Sequence, residues 1–160
     1  MFAVDTNVIL DVLAGPDETA RRSATLLETQ SGRGALVACG FVWAELAARR
    51  EAADVDRALT ALRIRVDWNL GREAVQAAVE AWRRYLAQRQ SWEPSFICPN
   101  CNHEAGEWRC PHCGGAVPPP RHLLTDFIIG GHAEGNGLSL ITRDRGIYQR
   151  YFPNLGLIQP

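Results

Sequence analysis

Four carboxylates occupy positions from which they could do chemistry: Asp5, Glu45, Asp126 and Asp144. Asp5 directly follows the apolar run Phe2-Ala-Val4, and Asp144 comes just after Leu138-Ser-Leu-Ile-Thr142. Both runs read as strands, which places the two acids at carboxyl ends of strands. In open α/β sheets that edge binds ligands, because the loops there converge where strand order reverses. Glu45 interrupts the apolar Phe41-Val-Trp-Ala-Glu45-Leu-Ala, and Asp126 interrupts Leu123-Leu-Thr-Asp126-Phe-Ile-Ile. Each has a local explanation, Glu45 as a partner of Arg49 one helical turn on and Asp126 as an acid in a first helical turn. Acids gathered in one cleft raise each other's pKa unless a cation compensates them. Mg²⁺ or Mn²⁺ suits such oxygen donors and keeps positions open for phosphate oxygens and for water. In-line hydrolysis of a phosphodiester is the chemistry that set would support.

A second constellation is Cys98-Pro-Asn-Cys101 and Cys110-Pro-His-Cys113, while Cys39 stands alone. Each pair has the spacing that puts two thiolates on one tetrahedral metal, and four sulfurs leave no open position, so a zinc ion here is expected to be structural. Two disulfides are the competing arrangement; reducing conditions in a cytoplasm favour zinc. His103, His112 and His122 read as exposed loop residues, and His132 as a helix-surface or satisfied core residue. The flanks, Ser91-Trp-Glu-Pro-Ser95 and Gly114-Gly-Ala-Val-Pro-Pro-Pro120, do not continue a helix. Residues 91–120 therefore read as an inserted zinc-ribbon module in a discontinuous domain made of residues 1–90 and 121–160. The module carries more acid than base, which argues for a protein contact or substrate positioning over a phosphate clamp.

The remainder alternates short apolar strands with helical periodicity, the pattern of an α/β domain with a mostly parallel sheet flanked by helices. Strands are expected at Phe2–Val4, Ala35–Ala38, Leu138–Thr142 and Leu155–Ile158. Helices are expected from Asn7 to Leu13, Glu18 to Thr29, Val42 to Glu51, Asp54 to Arg63, Arg72 to Gln88 and Thr125 to Glu134. In the long helix, Val75, Val79, Trp82 and Leu86 form one stripe that reads as core. Gly130 and Gly131 each cost about 1 kcal/mol in a helix interior. Small residues on the face of Asp126 would repay this by letting the helix approach the sheet.

With 160 residues, 46% of them hydrophobic, the chain is long enough to fold around a core without disulfides. A net charge of −1 excludes a basic blanket over nucleic acid, so any such contact must come from local patches or bound metal. No segment is long and apolar enough to span a bilayer, and an acid at position 5 does not suit a signal peptide. A cytoplasmic location is expected.

The motifs Val4-Asp5-Thr6-Asn7, Trp43-Ala-Glu45-Leu46, Thr125-Asp126-Phe-Ile-Ile-Gly130 and Leu140-Ile-Thr142-Arg143-Asp144-Arg145-Gly146 resemble, in content and order, those of PIN-domain ribonucleases, and in particular the VapC-type toxins of toxin–antitoxin pairs. The resemblance covers nearly everything outside the cysteine segment. It implies a three-layer fold and a metal-dependent endoribonuclease with Asp5, Glu45, Asp126 and Asp144 as the acidic site, and with Thr6, Asn7 and Thr142 orienting waters or ligands. It also implies an antitoxin partner and a homodimer. Locally, Thr6 or Asn7 can instead cap a helix, and Thr142 can simply end a strand. Arg143, Arg145 and Arg150 form the best candidate RNA-binding patch beside the acids, with Tyr148 or Tyr151 available to stack on a base or to be buried. The cysteine module departs from the usual toxin. It admits a ribosomal-RNA-processing PIN nuclease with a zinc ribbon or a non-catalytic adaptor as alternatives, and the acidic fold itself admits a DNA nuclease.

Overall fold

In chain order the elements are β1 (Phe2–Val4), α1 (Thr6–Ala14), α2 (Glu18–Ser31), β2 (Leu36–Cys39), α3 (Gly40–Ala47), α4 (Ala52–Ala61), β3 (Ile64–Asp67), α5 (Arg72–Arg89), β4 (Phe96–Ile97), β5 (Glu104–Ala105), β6 (Trp108–Arg109), β7 (Ala116–Val117), α6 (Leu124–Gly135), β8 (Ser139–Ile141), α7 (Ile147–Tyr151) and β9 (Leu157–Ile158). They belong to a computed structural model that describes residues 1–88, 124–144 and 146–160 with their side chains. The backbone of residue 89 and of the strands β4 to β7 is described as well. The four cysteines of the expected zinc module, His103, His112, His122 and Arg145 lie outside the described residues.

Five strands form one parallel sheet in the order β3-β2-β1-β8-β9. The chain builds outward from β1 to one side, then returns through α5 and α6 to place β8 on the other side. The crevice of such a sheet therefore lies at the carboxyl ends of β1 and β8, where the winding direction changes. Register brings Val4 opposite Ile141 and Cys39 opposite Asp67, so the residues following these pairs share one edge. The central strands are buried on both faces, which explains their unbroken apolar runs. Among the described residues no helix is long and apolar enough to cross a membrane.

The expected strands and helices are present within a few residues of their expected ends, and β3, α7 and the four short strands β4 to β7 were not foreseen. Strand β3, Ile64-Arg-Val-Asp67, lies at the sheet edge with Arg65 exposed, and α7 is a single short helix. Small hairpin-like pairs, β4 with β5 and β6 with β7, are antiparallel and stand on either side of the two Cys-x-x-Cys sequences.

Two packing expectations are corrected. Helix α5 does not bury its Val75, Val79 and Leu86 stripe: these side chains are about two-fifths exposed, at 42%, 43% and 39%. It buries Ala74, Ala78, Ala81 and Tyr85 instead. The cause is α6, which lies so close that a Cβ on Gly131 would sit 2.5 Å from the Ala74 carbonyl oxygen and one on Gly135 2.5 Å from the Ala74 nitrogen. Only the alanine face of α5 can meet that backbone. Gly131 and Gly135 of α6 thus serve a helix–helix approach and not an approach to the sheet. A Cβ on Gly130 would strike the Phe152 ring at 2.6 Å.

Candidate active site

Asp5 is the N-cap residue of α1, placed at the mouth of the crevice by the end of β1, where its amide donates to the Ile141 carbonyl at 3.0 Å. Its carboxylate is buried and held from two sides. Thr142 Oγ1 donates to Oδ2 at 2.6 Å, and Asn7 Nδ2 donates to the same oxygen at 2.6 Å. The Thr142 hydroxyl in turn accepts from Asn7 Nδ2 at 3.1 Å and from the Asp144 amide at 3.0 Å. One donor proton and two lone pairs are all in use, so this hydroxyl joins the ends of β1 and β8 and the Asp144 loop. Asn7 Oδ1 closes the frame by accepting from the Arg143 amide at 3.0 Å.

Burial pushes the Asp5 carboxyl from its ordinary 3.8 up to about 6; the Thr142 and Thr6 hydrogen bonds oppose this, and the charges of Asp144 and Glu45 add to it. Three of the expected acids therefore share one electrostatic neighbourhood. Glu45, on α3, does not pair with Arg49; its Oε2 accepts a hydrogen bond from the Thr6 hydroxyl, which ties α3 to the start of α1. Asp144 Oδ1 accepts from the Gly146 amide at 2.7 Å and the Ile147 amide at 3.1 Å, an Asx-type turn that starts α7. Asp126 lies in the first turn of α6. It meets the others at Tyr148, a buried phenol held well above its usual range by burial and by the charges of Asp5, Asp126 and Asp144. The Tyr148 hydroxyl also lies against the Asp5 carboxylate, and that contact adds to the shift.

The same fold disposes of the other candidates. Tyr148 and Tyr151 are buried, in contact with Phe152 and with Phe127 and Tyr85 respectively, so neither can stack on a base. Arg143 Nε pairs with Asp11 Oδ2 at 2.7 Å, and the buried Asp11 also accepts from Ser23 Oγ at 2.7 Å. Arg150 donates to Gln88 Oε1 at 2.9 Å, and its guanidinium stands 5.8 Å from the Tyr151 ring centre. Two of the three expected phosphate-binding arginines are thus engaged within the protein. Sequence reasoning missed Asp11, whose setting inside the apolar Val8-Ile-Leu-Asp-Val-Leu helix is the signal that was available. It also missed the contact between buried His132 Nε2 and Asp67 Oδ2, 3.2 Å apart.

The donors gathered here are all hard oxygens, and burial together with the nearby charges of Asp144 and Glu45 disfavours an uncompensated Asp5 carboxylate, so the residues fit Mg²⁺ or Mn²⁺. Among the described residues no three His, Cys, Asp or Glu side chains close into a metal cage.

A parallel sheet with acids collected at the crevice beside its first strand defines an α/β domain built around a carboxylate cleft. The PIN domain profile matches residues 2–153, and the chain belongs to that family. Solved structures with the same fold include VapBC2 from Rickettsia felis bound to a DNA fragment from their promoter, at 16% identity and a TM-score of 0.60 over 99% of this chain and 97% of that one. VapBC-1 from nontypeable Haemophilus influenzae is similar at 16% identity, TM-score 0.61, over 99% and 96%. FitAcB from Neisseria gonorrhoeae is similar at 15%, TM-score 0.57, over 99% and 96%. No curated protein matches the sequence.

Proposed function

We propose that the chain is a metal-dependent endoribonuclease acting in the cytoplasm as the toxin of a toxin–antitoxin pair. The observation that carries this reading is the buried Asp5 carboxylate, lifted to about 6 at the crevice of the sheet with Glu45 and Asp144 beside it. Membership of the PIN domain family supports a nuclease. The similarity to VapBC and FitAB complexes supports an antitoxin partner.

Asp5, Glu45, Asp126 and Asp144 would hold Mg²⁺ or Mn²⁺, which supplies charge for the phosphodiester and an acidified water. Thr142 and Asn7 both donate to one oxygen of the Asp5 carboxylate and hold it in one orientation at the crevice without reorganisation. Thr6 does the same for Glu45. The turn at Asp144 directs one oxygen to amides and leaves the other for the cleft. The exposed Val75, Val79 and Leu86 face of α5 offers an apolar surface to a second copy in a homodimer. Cys98, Cys101, Cys110 and Cys113 would hold a structural Zn²⁺; the spacing and the antiparallel strand pairs flanking each Cys-x-x-Cys support this.

Purified protein incubated with total RNA and Mg²⁺ or Mn²⁺, with EDTA and Asp126→Asn controls, tests the reading. Hydrolysis by water predicts fragments with 3′-hydroxyl ends, lost in both controls. Cyclic phosphate ends, or cleavage undiminished by EDTA, would remove the mechanism. Fragments from transfer RNA fit a toxin, and fragments confined to one site in precursor ribosomal RNA fit a processing enzyme. Zinc content of one per chain, lost on Cys110→Ser, checks the module.

A further inference from the structure

Beside the acids, on the same edge of the sheet, lies a second feature that the nuclease reading does not use. It is a half-open cavity of about 250 Å³, lined by Cys39, Gly40, Phe41, Asp67, Trp68 and His132 among others. Cys39 ends β2 and Asp67 ends β3, opposite each other in register. Neighbouring strands are about 4.8 Å apart, so the end of β3 stands roughly 10 Å from the end of β1 that carries Asp5. The charges of Asp5 and Glu45 reach Cys39, whose thiol is pushed up first by burial and further by those two acids. Phe41 lines the cavity one helical turn before Glu45 on α3, so the two side chains project from one face of that helix. The cavity and the acids are therefore neighbours along one edge of the sheet.

Its aromatic wall is built and rigid. Trp68 is 67% exposed, which is unusual for the largest apolar side chain, yet it is not loose. Its ring meets Trp43 edge-on at 5.4 Å, and Trp43 is itself pinned by donating from Nε1 to Asp56 Oδ1 at 2.8 Å. The ring also lies against Gly40, where a Cβ would come within 3.1 Å of it. A glycine at the start of α3 thus lets the indole settle against backbone while one surface stays open to solvent. Phe41, 38% exposed, stands beside it.

The polar wall is an acceptor. Asp67 Oδ1 takes a hydrogen bond from the Asn69 amide at 3.0 Å and Oδ2 lies 3.2 Å from His132 Nε2. These contacts hold the carboxyl below the usual carboxylate range, the Asn69 amide most of all and His132 next. Asp67 therefore stays ionised, with lone pairs left over on both oxygens. A flat aromatic surface next to a fixed carboxylate matches an unpaired base that stacks on one and donates N–H groups to the other. Guanine, with adjacent N–H donors on its pairing edge, fits best, and uracil and its paired acceptors fit worst.

We propose that the Trp68–Phe41–Asp67 cavity is a subsite for one unpaired nucleobase bearing N–H donors on its pairing edge, next to the phosphate held at the acids. The substrate class rests on the nuclease reading above. The subsite would choose where along a single strand the acids act.

The test is binding of the Asp126→Asn protein, which removes cleavage, to fluorescent uridine octamers carrying one central guanosine, adenosine, cytidine or uridine, in Mg²⁺. The guanosine octamer is expected to bind most tightly. Trp68→Ala is expected to weaken it about tenfold or more, with Trp68→Phe retaining most of the affinity. Asp67→Asn is expected to abolish the difference between guanosine and uridine. Thermal melting confirms that each variant is folded. Unchanged affinity in Trp68→Ala, or equal affinity for all four octamers, overturns the proposal. So does a Trp68→Ala protein that binds RNA normally but sediments as a smaller species, which would make this face a contact between protein copies. Cleavage of the octamers is scored separately on the protein with Asp126 intact. Cleavage with affinity independent of Trp68 leaves the nuclease and removes the subsite, whereas Trp68-dependent binding without cleavage does the reverse.

Discussion

Replacing Asp5 by asparagine should stabilise the metal-free protein while destroying its activity. The carboxyl group is held at about 6 in the folded chain against its ordinary 3.8. A carboxyl raised in this way is more readily protonated folded than unfolded, so its contribution is fully favourable below about pH 4 and is lost as pH rises through 6. The difference amounts to about 3 kcal/mol at pH 8. Asparagine keeps an acceptor oxygen for Thr142 and Asn7 and carries no charge into the buried site. In EDTA at pH 8, Asp5→Asn should therefore melt about 6–12 °C above the parent protein. At pH 4 the parent carboxyl is mostly protonated and the gap should close. Mg²⁺ or Mn²⁺ should raise the parent's melting temperature, since an ion bound at a hundred times its Kd contributes about 2.7 kcal/mol, and should leave the variant nearly unmoved. Calorimetry at the two pH values, with and without the ion, reads all of this. A variant less stable than the parent in EDTA at pH 8, or a difference independent of pH, would refute the reasoning that Asp5 is a stressed carboxylate awaiting a cation.

Three further changes probe the frame around it. Thr142→Val removes the hydroxyl that joins Asp5, Asn7 and the Asp144 amide, and should cost about 1.5–3 kcal/mol in urea denaturation at pH 8, together with most of the cleavage activity. Gly131→Ala should lose about 1–3 kcal/mol despite its better helix propensity, because the Ala74 carbonyl blocks the new methyl; stability equal to the parent's in the same assay would refute the close packing of α5 on α6. Arg143→Ala should destabilise the fold by leaving buried Asp11 unpaired, and adding Asp11→Asn should restore stability. Any loss of RNA affinity that persists in that double variant reports a true phosphate contact.

Much of this site was legible because its acids follow apolar strands or interrupt apolar helices, and such placements leave a mark in sequence. Asp5 and Asp144 were located by the strands before them, and Asp126 by the apolar Phe-Ile-Ile that follows it. Strand β3 was missed because Arg65 breaks its apolar run and because α4 hands over to it without the glycine that usually marks a helix end. Arg63 takes the left-handed backbone there, at φ 57°, so no turn residue announces the change. Losing β3 also hid Asp67 and with it the cavity. The α5 stripe misled for a different reason. Periodicity identifies an apolar face but not which face a neighbouring helix can approach, and on α5 the alanines won because α6 presents bare backbone at Gly131 and Gly135.

The engagement of Arg143 and Arg150 within the protein has a consequence for how RNA must be held. The chain carries a net charge of −1, and one of those arginines answers a buried acid while the other is shared with Gln88 and Tyr151. A nuclease that gripped its substrate by arginine would contact several phosphates, and each contact adds about 0.7 to the slope of log affinity against log salt for a single strand. On the reading proposed above, the attraction would fall instead to a cation at the acids and to stacking at Trp68, and stacking is nearly insensitive to salt. Binding of the Asp126→Asn protein to a uridine octamer with a central guanosine, titrated with KCl at fixed Mg²⁺, should therefore give a slope no steeper than about −2. A basic clamp of six or more phosphate contacts would give about −4 or steeper. A slope in that range would mean that the phosphates are held by arginines freed from Asp11 and Gln88 when RNA arrives, and it would move specificity away from the cavity beside α3.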